Sequence, residues 1–299
     1  MEAAQLNGLG VAVVTPFKED HSIDFKSLEK LINHLIKGGV DYLVIQGTTG
    51  EAATLTIEEK NAVLDFALEA NGGRVPLVFG HGGNNTRALI AGMNNIKSLD
   101  KVDAVLSASP YYNKPNQNGI YEHYSAFAQA CPKPIILYNV PGRTGSNMLA
   151  HTTISLARAH KHIIAVKEAS GDLGQMTQLL KNKPNGFQVI SGDDDLVLHQ
   201  CAMGAAGVIS VVANAFPTRF KKLITAASSG DMATAQQYHF QLCDIIPQLF
   251  KEGNPAGIKA LLAMLGICGT AVRLPLTEAS DELKDELYRE VSNAGISLD

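Results

Sequence analysis

Only four cysteines occur in 299 residues, Cys131, Cys201, Cys243 and Cys268, and no two of them form a CxxC pair. Scattered through apolar or helical surroundings, they argue against a disulfide framework and a cysteine zinc site, and they read as reduced core thiols. No apolar run is long enough to span a bilayer, and Met1-Glu2-Ala3-Ala4-Gln5-Leu6 lacks the basic segment and apolar stretch of a signal peptide. A cytoplasmic protein without a membrane partner is expected. Basic residues are not in excess: 25 Lys and Arg against 29 Asp and Glu leave a net charge of -4, which gives no footprint for nucleic acid. HExxH is missing, and His160-Lys161-His162 falls where a helix should end, as a solvated face rather than a ligand pair. Asp193-Asp194-Asp195 follows Ser191-Gly192 at an expected helix start, where acids cap the helix and favour its positive end; a metal site is the lesser alternative.

What is present is a soluble composition, 45% hydrophobic and 18% charged, suited to small-molecule chemistry. Apolar, β-rich runs recur at residues 11–17, 41–47, 76–82, 104–109, 134–140, 163–169, 187–192 and 207–214. Segments of helical periodicity separate them, such as residues 25–37 with Phe25, Leu28, Leu31, Ile32, Leu35 and Ile36 on one face. Continuous apolar strands are buried on both faces, and the spacing leaves room for one crossover helix each, as parallel sheets require. The pattern predicts an α/β fold, a TIM (β/α)8 barrel. An open doubly wound sheet competes, but no GxGxxG turn follows the first strand, and Gly80-His81-Gly82-Gly83-Asn84 lacks the Lys-Ser/Thr of a phosphate loop.

Beyond the eighth strand the chain is longer than one closing helix needs. Periodic stretches at residues 232–250, 255–265 and 278–294, with turn chemistry at Lys251-Glu252-Gly253-Asn254-Pro255, predict a small carboxy-terminal helical domain over residues 226–299 after a barrel over residues 1–225.

Chemistry in such a barrel sits at the carboxy-terminal strand ends and the following loops. There the sequence holds Gly47-Thr48-Thr49-Gly50-Glu51, Ser109-Pro110-Tyr111-Tyr112-Asn113, Tyr138-Asn139-Val140-Pro141-Gly142-Arg143-Thr144-Gly145, and Lys167 within the apolar run Ile163-Ile164-Ala165-Val166-Lys167-Glu168-Ala169. An amine held away from water becomes a nucleophile able to form a Schiff base with a carbonyl substrate. Each group has a duller alternative: Lys167 snorkelling from a strand end, Gly47 to Gly50 a tight turn, Tyr138 a core aromatic, Arg143 a surface cation. In the functional reading the turn at Thr48 and Thr49 holds a carboxylate, Tyr138 relays protons beside the amine, and Arg143 forks onto a substrate carboxylate.

These motifs, in this order and covering essentially the whole chain, resemble the signature of the dihydrodipicolinate synthase family, within the pyruvate-dependent Schiff-base lyases and aldolases. The resemblance implies condensation of pyruvate with L-aspartate 4-semialdehyde to 4-hydroxy-tetrahydrodipicolinate, in lysine and diaminopimelate biosynthesis, without metal or cofactor. It implies Lys167 as nucleophile and Thr48, Tyr138 and Tyr112 as a proton relay, with Tyr112 reaching in from a neighbouring subunit. It further implies Thr49 on the pyruvate carboxylate, Arg143 on the semialdehyde carboxylate, and the Gly192 and Ile209 regions lining the pyruvate pocket, in a homotetramer that is a dimer of dimers. N-acetylneuraminate lyase or a 2-keto-3-deoxy sugar acid aldolase is the nearer alternative, although the sialic-acid lyases resembling this chain usually lack an arginine in that loop. A noncatalytic small-molecule-binding barrel is the remote one.

Lysine-inhibited relatives carry an acidic side chain one turn into the helix after the Asn84 loop, and Ala88 stands there. A missing charge-assisted hydrogen bond to the inhibitor amine is worth about 1.5 to 3 kcal/mol. Feedback inhibition by lysine is therefore expected to be weak or absent, and half-inhibition at sub-millimolar lysine in an activity titration would contradict this.

Overall fold

The computed structural model describes residues 3–298. Eight strands, β1 (Gly8–Ala12), β2 (Tyr42–Ile45), β3 (Leu77–Gly80), β4 (Ala104–Ala108), β5 (Ile135–Asn139), β6 (Ile163–Glu168), β7 (Gln188–Ser191) and β8 (Gly207–Ser210), pair in parallel in sequence order and close as a barrel. Closure comes from β1, which pairs with β2 on one side and β8 on the other, so the open-sheet alternative is excluded.

Alternation along each strand explains why the strands read as continuous apolar runs. Ala12, Tyr42, Val44, Val78, Leu106, Ile136, Ala165, Ile190 and Ile209 fill the barrel interior. Their neighbours Val11, Leu43, Ile45, Phe79, Val105, Leu137, Val166, Val189 and Val208 face outward into a larger core beneath the helices. Most strand residues are thus buried whichever way they point. Tyr42 lies wholly inside and donates to the Val208 carbonyl at 3.4 Å. It fits because Gly10 lies beside it: a Cβ there would come within 2.1 Å of the Tyr42 ring.

The helix Phe25–Lys37 begins at Asp24, whose carboxylate accepts from the Ser27 amide, and buries Leu28, Leu31, Ile32 and Leu35. The helix Ile57–Asn71 opens with a reciprocal Thr56 and Glu59 capping box.

Several expected boundaries move. β1 starts at Gly8 and ends at Ala12, not over residues 11–17, because Gly8 and Gly10 pair with β8 and β2 while contributing no apolar side chain to the pattern. β8 stops at Ser210, since the next two amides, of Val211 and Val212, donate to the Asp194 carboxylate at 2.9 and 2.8 Å and leave the ladder. The stretch 232–250 is two helices, Met232–Phe240 and Ile245–Lys251. Pro247 explains the break: it fits the first turn of the second helix, whereas inside one continuous helix its ring would strike the carbonyl four residues earlier. Cys131, Cys201 and Cys268 are buried as expected, but Cys243, in the turn between those helices, is only half-buried.

Residue 226 lies within the closing helix Pro217–Ser229. The helices Ala256–Met264 and Asp281–Asn293 then pack into the same outer core as the barrel strands. A buried ion pair fastens this segment to the barrel. Lys259 Nζ lies 2.5 Å from Glu51 Oε1 with both side chains all but inaccessible, and it also donates to the Ala271 carbonyl at 2.8 Å. The other Glu51 oxygen accepts the Arg273 amide at 3.0 Å, while the Lys259 ammonium sits 4.2 Å over the Phe17 ring. Burial pulls Lys259 below its ordinary pKa, and Glu51 works against that shift.

Lys259→Met should strand the Glu51 carboxylate in the core and cost about 3–5 kcal/mol. Denaturant midpoints check this: Lys259→Met with Glu51→Gln should recover most of the loss, and a single variant as stable as wild type would contradict it.

Candidate active site

Parallel pairing of β5 and β6 sets Tyr138 opposite Lys167 and Asn139 opposite Glu168. Alternation then turns Tyr138 and Lys167 toward the mouth of the barrel, where they line a cavity of about 560 Å3. Lys167 is 5% exposed, and its Nζ stands 4.4 Å from the centroid of the Tyr138 ring. The space beside it is kept by Gly192, where a Cβ would come 2.6 Å from the Ala169 Cβ and 3.0 Å from Lys167 Cε. The Gly192 amide donates to the Glu168 carbonyl at 2.7 Å, which fixes the approach of β7 to β6.

After β2 the chain makes the 3-10 turn Thr48–Gly50, with Glu51 left-handed at φ 52. For a glutamate that conformation costs of order 1–3 kcal/mol unless its surroundings hold it, and here the Lys259 ion pair does. The Gly50 carbonyl accepts from Thr15 Oγ1 at 2.7 Å. Thr48 is exposed at the cavity wall, whereas Thr49 is buried and its hydroxyl accepts from Asn254 Nδ2 at 2.9 Å. Across the opening, Arg143 projects from the short helix Pro141–Thr144 and lines the rim.

Thr48, Thr49, Tyr138, Arg143, Lys167 and Gly192 therefore share one cavity. Two expected residues lie elsewhere. Tyr112 is 88% exposed and does not line the cavity of its own chain; it holds φ +70 in a loop pinned by Asn113, whose side chain donates to the Asn84 carbonyl at 2.9 Å. Ile209 is wholly buried in the barrel interior, and Val211, two residues further on, reaches the cavity wall instead.

The acidic run does not cap a helix. The next helix, Val197–Ala202, begins after Leu196 with no side-chain cap. Asp194 instead turns inward to take the Val211 and Val212 amides, because those amides have no other acceptor once β8 ends. Asp193 accepts from the Gly171 amide at 3.2 Å and lines the cavity with Asp194 and Asp195. Burial and then the Asp195 charge push the Asp193 carboxyl up to about 6, with Lys167 opposing. Asn254 went unforeseen as well: its place between Gly253 and Pro255 reads as a turn, yet its side chain is buried against Thr49. Among the described residues no three His, Cys, Asp or Glu side chains converge as a metal site. A second hollow of about 510 Å3, walled by residues including Ile154, Arg158, Gln175 and Asn182 on the outer helices, offers no amine nucleophile.

A secluded amine beneath an open cavity, with a phenol beside it and a guanidinium at the rim, defines a barrel enzyme of the carbonyl-condensing lyase class. Comparison with known proteins narrows the class. The family model described as the dihydrodipicolinate synthetase family matches residues 5–294, and the chain belongs to that family. Among its relatives, 4-hydroxy-tetrahydrodipicolinate synthase of Parabacteroides distasonis is 48% identical over 276 residues, 92% of this chain and 93% of the relative. The protein of the same name from Cytophaga hutchinsonii is 49% identical over 278 residues, covering 92% of each. The crystal structure of dihydrodipicolinate synthase from Aquifex aeolicus superposes with a TM-score of 0.92 at 39% identity, covering 97% of this chain and 99% of that one. A structure described as a monomeric dihydrodipicolinate synthase variant gives a TM-score of 0.94 at 34% identity over 99% of both chains.

The raised Asp193 carboxyl has a consequence for stability. With its folded pKa at about 6 and its ordinary value at 3.8, the folded protein binds more protons between those limits, so this group's contribution worsens as pH rises through that window. Asp193→Asn should therefore raise the melting temperature relative to wild type at pH 8 and do so less at pH 5. Equal shifts at both pH values in thermal melts would contradict the assignment.

Proposed function

We propose that the chain condenses pyruvate with L-aspartate 4-semialdehyde to 4-hydroxy-tetrahydrodipicolinate, and that Lys167 carries the reaction as a Schiff base. The observation that carries this reading is the buried Lys167 amine beside Tyr138 within a cavity rimmed by Arg143, in a chain whose relatives bear the synthase name. Lys167 Nζ attacks the pyruvate ketone, and the carbinolamine loses water to leave an imine. Loss of a methyl proton gives the enamine, whose terminal carbon bonds to the aldehyde carbon while the aldehyde oxygen takes a proton. The semialdehyde's own amine then attacks the imine carbon, and the ring closes as Lys167 departs. The imine is the electron sink throughout, so the chemistry draws on no metal or organic cofactor.

Thr48 and Tyr138 move the protons in this scheme, and the chain is completed by Tyr112 from a neighbouring subunit. The exposure of Tyr112 on a pinned loop supports that crossing within a dimer, and a homotetramer built as a dimer of such dimers belongs to the same proposal. Since one solved relative is described as monomeric, the argument for assembly rests on Tyr112 rather than on family membership. Thr49 and the neighbouring amides take the pyruvate carboxylate, Gly192 and the Ile209 strand shape the floor, and Arg143 takes the semialdehyde carboxylate. A guanidinium at the rim favours a short acidic aldehyde over a polyhydroxylated sugar chain. A catalytic barrel of residues 1–225 with a helical appendage of residues 226–299, acting in the cytoplasm, belongs to the same proposal.

The test follows turnover of the two substrates through an NADPH-consuming reductase acting on the product. Lys167→Ala should abolish turnover. Arg143→Ala should raise the KM for the semialdehyde roughly 10- to 100-fold, the loss of one charged hydrogen bond, while the KM for pyruvate holds. An unchanged semialdehyde dependence would remove Arg143 from its role, and absence of turnover in folded wild type would remove the whole reading.

A further inference from the structure

Behind the reacting side chains, on the outer face of the same two strands, Glu168 is 1% exposed and has no cation among its hydrogen-bond partners. Its carboxylate accepts from Asn139 Nδ2 at 3.0 and 3.1 Å, from Gln175 Nε2 at 3.1 Å and from the Ser170 amide at 2.9 Å. A carboxylate can only accept, so it dictates which way both neighbouring amides face. With Asn139 Nδ2 committed to Glu168 and to Asn147 Oδ1, at 2.7 Å, Asn139 Oδ1 is left to receive the Met148 amide at 2.9 Å. Gln175 likewise turns its Oε1 to Asn147 Nδ2 at 2.9 Å.

Asn147 and Met148 are the exit of the excursion that carries Arg143. Its entry is fixed one residue from Asn139, where the Val140 carbonyl accepts from the Arg143 and Thr144 amides at 2.9 and 3.0 Å. Both ends of the loop are therefore pinned at the end of β5, the exit through a side chain whose orientation is set from β6. We propose that Glu168 is a positioning residue for the reaction proposed above: through Asn139 and Gln175 it locks the Arg143 loop over the cavity and so sets affinity for the second substrate.

The proposal rests on Arg143 as the anchor of the semialdehyde. Glu168→Gln replaces an acceptor-only group by one that carries its own N–H2; the fixed Ser170 amide keeps the new oxygen on its side, so the N–H2 faces Gln175, which must turn over, and Asn147 at the loop exit can no longer match both Gln175 and Asn139. The KM for the semialdehyde should rise roughly tenfold, the scale of a small misplacement of a binding group. The KM for pyruvate and the yield of borohydride-trapped imine should stay within about twofold. In the background of Arg143→Ala, Glu168→Gln should add little, because it acts through that arginine. Should Glu168→Gln fail to fold, Gln175→Met removes one donor from the carboxylate and should give the same split at roughly threefold.

A semialdehyde KM equal to wild type, parallel loss of both substrates and of imine, or full additivity with Arg143→Ala would each overturn the proposal. These failures are distinguishable from failure of the anchor itself, in which case Arg143→Ala alone would leave the semialdehyde KM unchanged.

Discussion

The parallel register of β5 and β6 is the constraint from which the site follows. It sets Tyr138 beside Lys167 on the inner face and Asn139 beside Glu168 on the outer face, so one strand pairing fixes both the side chains proposed to react and the network beside the Arg143 loop. A slip of one residue would exchange the two sets and turn Lys167 into the outer core. The strands are short, and neighbouring strands hold this register: Lys167 also faces Ile190 of β7, and the Gly192 amide is tied to the Glu168 carbonyl. Catalytic geometry in this barrel is thus a property of its hydrogen-bonded framework before it is a property of any loop.

The carboxy-terminal helices extend that framework to the second half of the cavity. Asn254 donates to the Thr49 hydroxyl, and Lys259 holds Glu51 in its left-handed conformation directly after the threonine turn. A buried ion pair contributes little net stability once both charges have lost their water, and its value here is directional. It specifies one arrangement of a turn that must present Thr48 and Thr49 to the cavity. The segment beyond the barrel is therefore part of the site's support rather than an ornament on it.

The architecture was legible in the sequence because burial on both faces makes each strand an apolar run, and eight such runs stand out against periodic helices. β1 runs over residues 8–12 against the 11–17 expected, three residues earlier at its start because Gly8 and Gly10 add no apolar side chain to the pattern, and five shorter at its end. Lys167, Thr48, Thr49, Tyr138 and Arg143 were legible as polar groups at strand ends, a position where barrels carry chemistry. Asp194 and Asn254 were not, since their partners lie 17 and 205 residues away and nothing local marks them. Of the Ile209 region, Ile209 itself packs the barrel interior and Val211, two residues further on, reaches the cavity.

The central claim is that Lys167 is the nucleophile, and reductive trapping addresses it most directly. Purified protein is incubated with pyruvate alone, reduced with borohydride, digested and mapped by mass spectrometry. The account predicts a pyruvate-derived adduct on the peptide containing Lys167, absent from Lys167→Ala. An adduct on another lysine, or none in folded protein, would contradict it.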